Sequence, residues 1–269
     1  MRCQPHAIAA QIAAWETPWI DMSRVADRGR GLVGYVGVEL GELQSRVWIH
    51  GPVVDDPDWD GVADALMARL ESDVPQLKTQ GAEIAADVAN RRVAEFAERH
   101  GFVAGPVHHL LSVTAAEIEE LPRPAVGAIS SEHEPALAAL HDQLFPGTYY
   151  SGRQLLEQAT RGDALVLGVI GEEGLIGYAA GRIDEAGDGY LDFVGVAVDE
   201  RRRGVGETLV VAMSHALAAE RPILATRLTV SSENVAALAL YDRLGFVRQS
   251  SSTGYRRPRN PHATRLEPR

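Results

Sequence analysis

The chain has 269 residues, 45% of them hydrophobic and 23% charged, which is long for one compact domain and suits two. It holds no apolar run of membrane-spanning length, no secretory leader pattern and a single cysteine, Cys3, so disulfides, membrane and secretion are not indicated and the cytoplasm is the expected compartment. The net charge of −11 argues against nucleic acid as a bulk electrostatic partner and mildly for a cationic or neutral one.

Taken in order, residues 7–15 suit a helix. At 31–35 stands G-L-V-G-Y, which returns as G-L-I-G-Y at 174–178, an offset of 143 residues. The offset persists: Val53 falls on Val196, Gly61 on Gly204, Ala63 on Gly206 and Leu66 on Leu209. N-R-R-V-A-E-F-A-E-R-H-G-F at 90–102 falls on 234–246 with one residue of slippage. The chain therefore reads as two copies of one fold, residues 1–118 and 124–269. The first copy is degenerate. Asp58, Trp59 and Asp60 stand where the second has Arg201, Arg202 and Arg203, and Ala97 stands for Tyr241. It also has only 30 residues before its glycine motif. Its first strand and part of a helix are missing, or the protein starts upstream. A structural partner without ligand is the expectation for this copy.

Residues 114–124 read as a linker, stiffened by Leu121-Pro122-Arg123-Pro124. Next come a strand over 125–129, a helix over 135–144, a break at 145–150 and a short helix over 154–159. Strands at 164–170 and 174–183 flank an E-E-G turn. An apolar strand over 191–198 stops at Asp199-Glu200, and R-R-R-G-V-G follows at 201–206. Leu209, Val210, Met213, Ala216 and Leu217 then recur at helical spacing. A strand at 226–230 leads to S-S-E-N and a helix ending at Gly245-Phe246. The proline-rich tail at 258–269 is expected to be disordered.

Strand, glycine-bearing loop and helix aim free amides and the positive end of a helix dipole at one point, which suits phosphate. The alternative is an ordinary turn with a solvated basic cluster. Glu132-His133-Glu134 offers adjacent side chains that point apart and reads as a solvated turn, so no metal is expected. His108-His109 falls in a strand candidate and suggests no site, and no nucleotide-hydrolysing loop of the G-x-x-x-x-G-K-[ST] type occurs.

R-R-R-G-V-G at 201–206 and N-V-A-A-L-A-L-Y-D-R-L-G-F at 234–246, each behind a strand, resemble the two signatures of the GNAT superfamily of N-acetyltransferases. The resemblance covers roughly residues 124–257. It implies an α/β (α+β) fold: two tandem GNAT-like domains, each a mixed, mostly antiparallel sheet flanked by helices, the second catalytic. The arrangement resembles that of the mycothiol synthases, without extending to their substrate. It also implies acetyl-CoA as a substrate and a primary amine as acceptor, on a small molecule, a protein N-terminus or a lysine, with no metal.

By the resemblance, the diphosphate lies on Arg201, Arg202, Arg203, Gly204, Val205, Gly206 and Glu207. The pantetheine pairs with Val194, Gly195 and Val196 on a strand that splays from its neighbour. Tyr241 takes the place of the general acid; a core tyrosine is the alternative. Asn234 either bonds the cofactor or caps its helix. Asp192, on the face of Val194, Val196 and Val198 by period-two counting, is a base or substrate ligand, or is bonded to a neighbouring loop with water as the base. Tyr149, Tyr150 and Arg153 are expected to line the acceptor pocket. A monomer or homodimer is expected. The reading of another class is a non-catalytic acyl-CoA sensor or interaction module.

Overall fold

The computed structural model describes residues 21–29, 31–41, 46–172 and 174–258. The expected helix at 7–15 and residues 259–269 of the tail lie outside them. The chain groups into two units, one of residues 1–107 with 251–269 and one of 108–250.

The first unit runs β1 (Ser23–Asp27), β2 (Leu32–Gly41), β3 (Arg46–Val54), α1 (Trp59–Asp73), α2 (Gln76–Thr79), β4 (Gly81–Asp87), α3 (Arg91–Arg99) and the start of β5 (Val103–Thr114). β1, β2 and β3 pair antiparallel, and β4 lies parallel to β3. Residues 252–257, from the end of the chain, close the sheet by pairing antiparallel with β4. Val62, Leu66, Met67 and Leu70 recur every three or four residues, so α1 turns one apolar face onto Val36, Val38, Val47, Ile49 and Ile84. Trp59 meets Phe96 of α3 edge-to-face at 6.1 Å.

The second unit begins with residues 108–114 of β5. The expected linker then holds a five-residue helix, α4 (Ala115–Glu119). Thr114 accepts from the Glu117 amide while Glu117 reaches back to Thr114, a capping box that starts a helix where the prolines alone suggested extended chain. β6 (Gly127–Ala128) has two residues rather than the expected five. α5 (Glu134–Leu144), α6 (Gly152–Arg161), β7 (Leu165–Gly171), β8 (Gly174–Ile183) and β9 (Gly189–Val196) follow. β9 stops two residues before the expected end, because residues 198–200 form a 3₁₀ turn. α7 (Val205–Glu220), β10 (Ala225–Ser231), α8 (Val235–Arg243) and β11 (Val247–Arg257) complete the chain. The sheet order is β6-β7-β8-β9-β10-β5, antiparallel except for β9 and β10.

The order of elements repeats along the chain. β2, β3, α1, β4, α3 and β5 recur as β8, β9, α7, β10, α8 and β11. Asn90 and Asn234 each accept a hydrogen bond from the amide three residues on, both at 3.2 Å. Gly101 and Gly245 end the corresponding helices at φ 75° and 82°, where a Cβ would be strained. No helix among the described residues is long and apolar enough to cross a membrane.

Candidate active site

β9 and β10 pair over three residues only, from Thr226 opposite Gly189 to Leu228 opposite Leu191, and then diverge. The Ala197 amide donates to the Ile176 carbonyl on β8, so by alternation the amides of Gly195 and Phe193 also face β8. The amides of Val194 and Val196 point the other way, into the gap where β10 has left. A cleft of about 690 Å³ opens beside this stretch. Val194, Gly195 and Val196 line it, with Leu144 and Phe145 from the end of α5, the loop before α7, and the face of α8 that carries Asn234, Leu240 and Tyr241.

The loop has the backbone its glycines permit. Gly204 is the N-cap of α7 at φ 84° and Arg202 lies at φ 64°, both left-handed. Gly204 has no side chain to cap the helix, so the first-turn amides of α7 stay free for a ligand. Arg201, Arg202, Gly204, Gly206 and Glu207 line the cleft, and Arg243 joins them from α8. Arg201 donates through Nε to the Val196 carbonyl at 3.2 Å, which ties the loop to the strand. Arg203 pairs with Glu200 at 3.0 Å, and Val205 packs against the core.

In the first unit the same stretch is helix. α1 starts at Trp59, the counterpart of Arg202, and the Asp58 carboxylate accepts from the Gly61 amide at 3.2 Å. A side-chain anion thus occupies an amide at the helix start, where the second unit offers free ones.

Tyr241 is 8% exposed, stacks on Phe246 at 5.5 Å and lines the cleft. Burial pushes its phenol up to about 12, so it is fully protonated at neutral pH. Asn234 lines the cleft too, yet its Oδ1 accepts from the Ala237 amide. It caps α8, and its side-chain NH₂ remains as a donor.

Asp192 is held elsewhere. On β9 the register slips: Ala180 faces Phe193 but Gly181 faces Leu191, so Asp192 is a bulge residue. The bulge reverses the alternation. Leu191 packs into the core under α7, as do Val194 and Val196 beyond the bulge. Phe193 instead packs with Leu137, Leu140 and Tyr178. Period-two counting therefore misplaced Asp192: it lies on the face of Phe193, not on that of Val194 and Val196. Its side chain is 5% exposed and pairs with Arg182 Nε at 3.3 Å. It also accepts from the Tyr149 hydroxyl at 3.1 Å, a bond to a neighbouring loop. Burial raises its pKa, against the lowering effects of Arg182 and Tyr149.

Tyr149 also packs on Phe193 at 5.1 Å, and Tyr150 meets Tyr149 edge-to-face at 4.9 Å. Arg153 turns away, pairing with Glu157 at 3.0 Å. Beneath the tyrosines His141 is fully buried. Its Nε2 is 2.7 Å from the Tyr150 carbonyl, which only accepts, so Nε2 carries the proton. Nδ1 then accepts from the Tyr178 hydroxyl at 2.6 Å. Burial holds the pKa of His141 below the ordinary value and raises that of Tyr178.

The acetyltransferase (GNAT) family profile matches residues 134–246, the span from α5 to Phe246 that builds the cleft. That matched span lies within the second unit. Likeness among solved structures extends over nearly the whole chain. A GCN5-related N-acetyltransferase from Sphaerobacter thermophilus is 16% identical with a TM-score of 0.73, over 97% of this chain and 89% of that one. A tandem GNAT protein from the clavulanic acid biosynthesis pathway is 15% identical with a TM-score of 0.66, over 97% and 90%. A GCN5-related N-acetyltransferase from Kribbella flavida is 17% identical with a TM-score of 0.62, over 97% and 99%. At these identities the likeness carries the fold, and it covers both units. A search of curated proteins found no match.

Of the residues picked from sequence for acetyl-CoA, all but Arg203 and Val205 line one cleft, with Tyr241 among them. Asp192, Tyr149 and Tyr150 form a second group around Phe193. Arg182, His141 and Tyr178 were missed. The signal for Arg182 was a lone charge in the otherwise apolar strand G-L-I-G-Y-A-A-G-R-I. His141 gave none, since a single histidine on a helix is usually core. No group of three or more metal-ligating side chains occurs among the described residues.

Proposed function

We propose that the second unit moves an acetyl group from acetyl-CoA directly to the primary amine of a small molecule, and that the first unit is a structural partner. The observation that carries this is the single cleft in which splayed-strand amides, the anion loop and Tyr241 meet. The diphosphate sits on the free amides of 204–207, with Arg201 and Arg202 adding charge. The pantetheine extends along the open side of β9 and bonds the amides of Val194 and Val196 as an added strand would. One of those donors faces the thioester oxygen and stabilises the oxyanion. The amine nitrogen attacks the carbonyl carbon after losing a proton to water or to Asp192. The C–S bond breaks, and Tyr241 gives its proton to the departing sulfur. The phenolate regains a proton from solvent.

The Arg182 pairing of Asp192 favours a second reading, an acyl-CoA sensor, because a carboxylate already engaged is a poor base. Mixing the protein with acetyl-CoA and a panel of amines, and following free thiol, decides between them. Amine-dependent thiol release is expected. Tight acetyl-CoA binding with no release for any amine supports the sensor.

A further inference from the structure

Around the bulge, hydrogen-bond donors outnumber acceptors. Each oxygen of Asp192 already has a donor, Arg182 Nε on one and the Tyr149 hydroxyl on the other. An ammonium arriving there would find a carboxylate both neutralised and engaged. Arg182 is the group left with capacity. It lies opposite Tyr190 across the β8–β9 ladder, its side chain is 38% exposed, and its Nε side is turned to Asp192. Its guanidinium lies over the Tyr190 ring at 5.2 Å, and the Tyr190 hydroxyl bonds Thr229 at 2.8 Å. The fork is thus held from one edge and one face, with its terminal N–H groups available.

The nearby carboxylates do not compete for it. Asp188 and Asp184 on the β8–β9 hairpin are engaged by Arg227. A fixed, half-exposed guanidinium with free terminal donors is suited to a planar anion with two oxygens, and its immobility lowers the entropic cost of binding one. Phe193 lies next to Asp192 in the chain and Gly195 two residues further, beside the cleft. An acceptor anchored on Arg182 therefore has the strand leading to the cleft within its reach.

Resting on the transferase reading above, we infer that Arg182 is the specificity-determining residue of the acceptor site and that the acceptor is an amine carrying a carboxylate, of the amino-acid class. Asp192 and Tyr190 are positioning residues that aim the guanidinium.

The test uses the full chain and pairs of amines that differ only in the anion: several amino acids, each beside its primary amide. Thiol release gives kcat/KM for each member. The melting shift produced by each member on the protein alone gives binding without turnover. The expected preference for the acid is roughly 10–100-fold, the worth of one or two charge-assisted hydrogen bonds. In Arg182→Gln that ratio should fall to near one, and Arg182→Lys should keep part of it. The double variant Arg182→Gln with Asp192→Asn leaves no buried charge unpaired and should show the same lost ratio in a folded protein. Equal use of acid and amide by the wild type, use of neither with no acid-selective binding, or a ratio unchanged in Arg182→Gln overturns the inference. Acid-selective binding that depends on Arg182 without any thiol release would instead overturn the transferase reading and leave this site standing.

Discussion

Burial drives Tyr241 and Asp192 in the same direction, towards their protonated forms. For an acid that is the required state, and for a base it is the wrong one. Tyr241→Phe keeps the ring against Phe246 and removes the proton. Turnover should fall by roughly 10²–10⁴-fold where chemistry limits the rate, with acetyl-CoA affinity nearly unchanged. Rates and calorimetry on one preparation check it, and near-normal turnover would leave Tyr241 a core residue. His141 makes a prediction of another kind. Its folded pKa is below the ordinary 6.5, so under acid conditions the unfolded chain binds the proton more readily. Stability is constant above that unfolded value and falls as pH drops through it towards the lowered folded one. Melting curves between pH 8 and 5 should show this loss, and His141→Gln should have a flatter profile. Tyr241 was legible in the sequence from its place in a motif. The side of the sheet that Asp192 faces was not, because a bulge is set by register against the partner strand and leaves no mark in the strand's own alternation.

The loop at 201–206 separates stability from binding. Arg202 holds a left-handed backbone without being glycine, at a cost of roughly 1–2 kcal/mol. Arg202→Gly should raise the melting temperature and weaken acetyl-CoA binding, opposite signs from one substitution. At Gly204 a Cβ would meet no atom within 4 Å, so Gly204→Asp leaves the packing intact and costs only the backbone strain of its left-handed φ of 84°, roughly 1–2 kcal/mol. Its carboxylate at the helix start should repel the diphosphate and lower affinity severely in a folded protein, as calorimetry and a thermal melt would record. Most elements were readable because their apolar spacing is strong. β8 matches its expected bounds, and α7 follows the Leu209, Val210, Met213 and Leu217 face. α4 was not legible because two prolines follow it closely and favour extended chain, whereas its Thr114-x-x-Glu117 capping box is a short, local signal.

At the scale of the molecule the two units share an order of elements and differ in chemistry. The first keeps the element order, the asparagine cap and the closing glycine. It has lost the loop to helix, with Asp58 on the amide of Gly61. Titration with acetyl-CoA should therefore give one site per chain, and two sites of similar affinity would show that the first unit binds as well. The offsets of 143 and 144 that relate the two halves are readable in the sequence alone. Which sheet the ends of β5 and β11 join was not visible, since apolar alternation marks a strand without naming its neighbour.

That last pairing has a consequence in time. β4 ends at Asp87, and the strand that covers its outer edge, residues 252–257, is made after everything between them. At about 5–20 residues per second, the ribosome leaves that edge unpaired for on the order of ten seconds or more. Throughout, Ile84 lacks its partner Tyr255, and Glu83 waits for Arg256. An open strand edge is a template for other chains. The nascent protein should accordingly depend on chaperones in proportion to how slowly its second half is translated.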